Sequence, residues 1–134
     1  MPNAIEEVLR HSPPIMQFRA ATRDFALRGQ HIKAGDKVHL SYVSANRDED
    51  VFAELDRFDI LRPEAHQHLS FGAGPHFCIG HGQARLQLRT LLTELFTARP
   101  HVAVRGLTRH YRSSWLNALT EMQVDFHAAA AVAE

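Results

Sequence analysis

Cys78 is the only cysteine in the chain, and the ten residues around it constrain the fold more than any other stretch. It sits in Phe71-Gly72-Ala73-Gly74-Pro75-His76-Phe77-Cys78-Ile79-Gly80, just ahead of a helical pattern that starts at residue 81. Glycines at 72, 74 and 80 have no Cβ, so the backbone can turn sharply and lie close to a flat partner. A helix N-terminus offers free backbone N–H groups and the positive end of a dipole, an environment suited to a negatively charged sulfur. Phe71 and Phe77 keep water away. A lone thiolate in a dry, donor-rich loop suits the axial ligand of a haem iron.

The same ten residues resemble, position by position, the cysteine-ligand loop of the cytochrome P450 family: Phe, Gly, any, Gly, any, His or Arg, any, Cys, any, Gly. Ala84-Arg85 continues the likeness into the following helix. Other pieces agree in order. Glu7-Val8-Leu9-Arg10 resembles the family's Glu-x-x-Arg helix, Ala45-Asn46-Arg47-Asp48 the short motif after its small sheet, and Asp56-Arg57-Phe58 its Pro-x-Arg-Phe segment, with Leu55 where proline is common. The likeness covers roughly residues 4–127.

The resemblance implies an α+β fold: the C-terminal part of the mostly helical P450 fold, with two main helices, a small mixed sheet, a long irregular meander and the cysteine loop. Residues 1–127 would form one incomplete domain, and the alanine-rich tail 128–134 would be disordered. It also implies a haem-thiolate monooxygenase that inserts one oxygen atom from O2 into a small apolar organic substrate. Haem b would be the cofactor, and a ferredoxin or flavoprotein the electron donor. Chains of this family are much longer. The long central helix that handles oxygen and protons would lie in a missing N-terminal half. The alternatives are a truncated, non-catalytic haem-binding remnant and one half of a split enzyme.

Residue by residue, the resemblance makes Cys78 the iron ligand, with Phe71, Gly72 and Gly80 around it. Backbone N–H groups near Ile79 and Gly80 would donate to the sulfur. His76 and Arg19 would bond the two haem propionates, a charge-assisted pairing. Glu7, Arg10 and Arg57 would form a buried structural network, with Arg62 a close competitor for the third place. Pro14, Ile15 and Met16, and the turn near Trp115, Leu116 and Asn117, would face the substrate side. A rival site is zinc: His66, His68, His76, Cys78 and His81 crowd together, and imidazole and thiolate are good zinc ligands. Against it stand the single cysteine and a glycine pattern that zinc leaves unexplained.

Composition narrows the partners. Lys plus Arg equals Asp plus Glu at 15 each among 134 residues, so the basic excess of a nucleic-acid binder is lacking. No run reaches the roughly 18 apolar residues of a membrane span. One cysteine excludes an internal disulfide, and the expected compartment is cytoplasmic.

Periodicity supplies the elements. Ile5, Val8 and Leu9 make a stripe on a helix over 3–11, with Asn3 as N-cap and Pro13-Pro14 as stop. Strand-like spacing runs from Met16 to Leu27 and over 37–40, with Gly29 and Gly35 as turns. A brief helix over 41–47 ends at Asn46, and 48–70 shows no period. Helix 81–98 carries an apolar face of Ala84, Leu88, Leu91, Leu92, Leu95 and Phe96. Residues 101–105 form a strand, and 115–126 a final hairpin turning around Asn117 to Glu121.

Overall fold

The computed structural model describes residues 2–98 and 101–127; the expected disordered tail at 128–134 lies outside them. Helix α1 spans Pro2–His11. Proline suits the first helical position, where no N–H is needed. Asn3 lies inside the helix and does not cap it: its Nδ2 donates to the carbonyls of Ile60 (2.7 Å) and Arg62 (3.1 Å).

Four short strands follow: β1 (Gln17–Ala20), β2 (Phe25–Leu27), β3 (Gln30–Ile32) and β4 (Lys37–Leu40). β1 pairs with β4 and β2 with β3, both antiparallel. A second helix, α2 (Tyr42–Ala45), is capped by Ser41, whose Oγ accepts from the Ser44 N–H. Residues 48–70 then wander without strands, broken by a 3-10 turn over Pro63–Gln67. Helix α3 spans His81–Ala98.

The chain closes with a long antiparallel hairpin, β5 (His101–His110) and β6 (Leu119–His127). This differs from the expected hairpin. Leu119 to Glu121 are strand residues, and the connection runs over 111–118. Its sharp bend is made by Ser113, whose Oγ accepts from the N–H groups of Trp115 and Leu116, both at 3.0 Å. The sheet also differs from a single mixed one: the described strands form three separate two-stranded antiparallel sheets.

The interior is unusual. Among the described residues its apolar members are Ile5, Leu9, Pro13, Phe52 and Ala65, and beside them lie Glu7, Arg10, Asn46, Arg62, His68 and Ser70, all buried. No side chain of α3 is buried. Ala84, Leu88, Leu92 and Leu95 are half-covered, whereas Leu91 and Phe96 of the expected apolar face are exposed.

Candidate functional site

The site is built on a charged scaffold. Arg10 donates through Nε and Nη2 to both Glu7 oxygens, at 2.7 and 2.9 Å. Its remaining N–H groups reach the carbonyls of Asn46, Leu55 and Arg57. Arg62 lies 3.4 Å from Glu7 and donates to the carbonyls of Ala53, Glu54 and Arg57. Two guanidiniums thus satisfy the backbone of a segment that has no ladder partners. Arg62 is therefore the third member of the network, not Arg57. Arg57 contributes its carbonyl, while its side chain turns outward to pair with Glu54. Burial pushes the Glu7 carboxyl up, but the bonds from Arg10 and the Asp59 N–H, with the charges of Arg10 and Arg62, hold it below the ordinary value.

Asn46 carries this scaffold to the cysteine loop. Its Nδ2 donates to the Arg10 carbonyl (3.0 Å) and to Ser70 Oγ (2.8 Å), and its Oδ1 accepts from the Leu69 N–H (2.7 Å). Ser70 Oγ donates in turn to the Leu9 carbonyl. The chain entering the loop is thereby tied to α1.

The loop itself turns at Gly72, where φ is +73° and a Cβ would stand 3.1 Å from the Tyr42 hydroxyl. Both features favour glycine. The Cys78 N–H donates to the Phe71 carbonyl at 2.9 Å, closing the loop, and the Gly80 carbonyl accepts the first helical bond, from Ala84. Cys78 therefore stands two residues ahead of the cap of α3. Its side chain is exposed. The Cys78 carbonyl accepts from the His81 N–H at 3.2 Å. A Cβ at Gly80 would sit 3.8 Å from Sγ, so glycine leaves that flank of the sulfur open.

Cys78 lines a cleft of about 630 Å³. Phe77, Ile79 and Ile15 give it apolar walls, and Arg19, His76 and Tyr42 give it polar ones. The structure places Arg19 on β1, bonded to Gln17 Oε1 and the Phe18 carbonyl, on the same cleft as His76. A sulfur donor in a largely apolar cleft, with a guanidinium and an imidazole on the same cleft, is a donor set that fits a haem with its carboxylates. The other expected pair of segments also comes together. Ile15 bridges to Leu116, the Met16 N–H donates to the Trp115 carbonyl, and the Asn117 N–H to the Pro14 carbonyl.

The five residues of the zinc alternative do not converge. Among the described residues no three His, Cys, Asp or Glu side chains are grouped to hold a metal ion. His66 bonds the Pro63 carbonyl, and His68 is buried against Glu6.

Sequence reasoning overlooked the cluster behind the loop. Glu6 accepts from Arg85 Nε (2.7 Å) and Nη2 (2.8 Å), and His68 Nε2 meets it at 3.2 Å. The Arg85 bonds hold the Glu6 carboxyl below its usual range. Burial pushes His68 down, against the pull of Glu6. Its Nδ1 accepts from the Ser70 N–H, which fits a neutral ring with the proton on Nε2. The available signal was a second glutamate beside Glu7 and an arginine one turn into α3.

The cytochrome P450 family profile matches residues 1–98. Linalool 8-monooxygenase of Pseudomonas putida is 41% identical over 122 residues, which are 90% of this chain and 30% of that protein. Steroid C26-monooxygenase of Rhodococcus jostii is 40% identical over 92% of this chain and 26% of its own length. Among solved structures, cytochrome P450-153 from Novosphingobium aromaticivorans superposes with a TM-score of 0.88 at 42% identity, over 94% of this chain and 32% of its own. The chain thus spans about a third or less of the proteins it matches. No helix among the described residues is long and apolar enough to cross a membrane. With the profile covering most of the chain and the cysteine loop in place, this chain belongs to the cytochrome P450 family.

Proposed function

We propose that this chain supplies the cysteine-ligand side of a haem-thiolate monooxygenase, which inserts one oxygen atom from O2 into a small apolar organic substrate. The observation that carries the reading is an exposed Cys78 on an apolar cleft that Arg19 and His76 share. Cys78 would hold the iron, and Arg19 and His76 would hold the two carboxylates of haem b. Phe77 and Ile79 would exclude water from the sulfur. A bound haem would supply the O2 chemistry, to which a thiolate ligand contributes electron density that favours O–O cleavage. The names of the relatives, a linalool and a steroid monooxygenase, support an apolar substrate. A ferredoxin or flavoprotein would deliver the electrons, and the compartment would be the cytoplasm.

A second reading is favoured by the exposed apolar side chains on α3 and the final hairpin. In it the chain is a haem-binding remnant, or half of a split enzyme whose complementary N-terminal half covers that surface. Incubation with haem, a reductant and 18O2, with a panel of apolar substrates, separates the two. One labelled oxygen in a product supports the monooxygenase. A haem spectrum with no labelled product in any reaction supports the remnant or the half enzyme.

A further inference from the structure

Phe71 opens the Cys78 loop, and Arg85 lies in the helix that leaves it. Their side chains meet: the guanidinium carbon stands 4.6 Å from the Phe71 ring centroid. Arg85 is pinned there. Two of its N–H groups grip the two Glu6 oxygens, and Nη1 lies 3.2 Å from His81 Nδ1. Glu6 is held from its other side by His68. The Phe71 ring is further packed by His68, His81 and Phe77, at centroid distances of 5.7, 6.2 and 6.4 Å. The same residue accepts the Cys78 N–H through its carbonyl. Ring, loop closure and cysteine therefore form one unit, and Arg85 is its back wall.

We propose that Arg85 is a positioning residue for the cysteine ligand, acting through the Phe71 ring. A guanidinium can grip a carboxylate with its edge and present its flat face to an aromatic ring. A lysine ammonium in its place keeps the pairing with Glu6 but offers no plane to stack. The loop's orientation toward a bound haem rests on the reading above; the stack itself lies within this chain's own residues.

The test uses the full chain labelled with fluorophenylalanine, the Phe71 resonance being assigned with Phe71→Leu. Arg85→Lys and Arg85→Met are compared with the unsubstituted chain. Both substitutions are expected to shift and broaden the Phe71 signal and to speed amide exchange at Cys78 several-fold. Thermal stability is expected to fall far more in Arg85→Met. In haem-loaded protein, both are expected to lower the fraction of thiolate-type spectrum under carbon monoxide. A Phe71 signal in Arg85→Lys identical to that of the unsubstituted chain overturns the proposal, leaving Arg85 as an ion-pair partner of Glu6 alone. If the unsubstituted chain shows no thiolate-type spectrum, the haem reading fails, and the Phe71 signal still decides the role of Arg85.

Discussion

The two ends of the described chain invert each other. Around α1, charged and amide side chains lie inside: Glu7, Arg10 and Asn46 are all 0% exposed. On α3 and the β5–β6 hairpin, large apolar side chains lie outside: Leu91 is 61% exposed and Leu107 93%. The first region is held by hydrogen bonds that a meandering backbone cannot make with itself. The second shows apolar surface without a partner in the described structure. The buried polar contacts thus gather around α1, and the cysteine loop is fastened to that end through Asn46 and Ser70.

Substitutions can break that contrast. Arg10→Ala strips a buried carboxylate of its main partner and takes the donor from the Asn46 and Leu55 carbonyls, the Arg57 carbonyl keeping Arg62, and it is expected to cost about 3–5 kcal/mol. Arg57→Ala removes only an exposed side chain and is expected to leave the urea midpoint nearly unchanged. Equal losses for the two would refute the assignment of the network. Asn46→Ala comes next, since it removes the acceptor of the half-buried Leu69 N–H and two buried bonds, to the Arg10 carbonyl and Ser70 Oγ. About 1–3 kcal/mol is expected, read from the same denaturation curves.

Acidity sharpens the comparison. His68 is held below the ordinary value of 6.5, so the unfolded chain binds that proton more readily. Stability is then complete above pH 6.5 and declines as pH falls below it. Glu6 and Glu7 are held below 4.5, so their contribution is present above that value and is lost as pH falls through their folded values. Midpoints measured from pH 7.5 to 3 should show two successive losses. His68→Gln should flatten the upper one, and an unaltered profile in that variant would remove His68 from the account. The smallest effect belongs to the open face. Leu91→Lys should change stability by no more than about 0.5 kcal/mol while reducing self-association seen by light scattering. A large destabilisation there would mean that α3 is packed in solution.

The local patterns were readable from residues alone. Pro13-Pro14 ends α1, Asn46 ends α2, and the loop glycines announce a cysteine held before a helix. The long-range choices were not. Arg57 and Arg62 lie in one aperiodic segment, and only the course of that backbone decides which guanidinium turns inward. Asn3 had a capping residue's chemistry but a meander carbonyl within reach. The hairpin turn was misplaced because polar residues occur on both sides of Trp115, and the bend depends on one serine hydroxyl. Helix α3 was read correctly as a helix, but periodicity cannot say that a face lacks a partner.

The central claim is that the Cys78 sulfur ligates haem iron. Its most direct test is the absorption spectrum of the reduced chain with haem under carbon monoxide. The account predicts a strongly red-shifted Soret band that disappears in Cys78→Ala. A spectrum left unchanged by that substitution would contradict it.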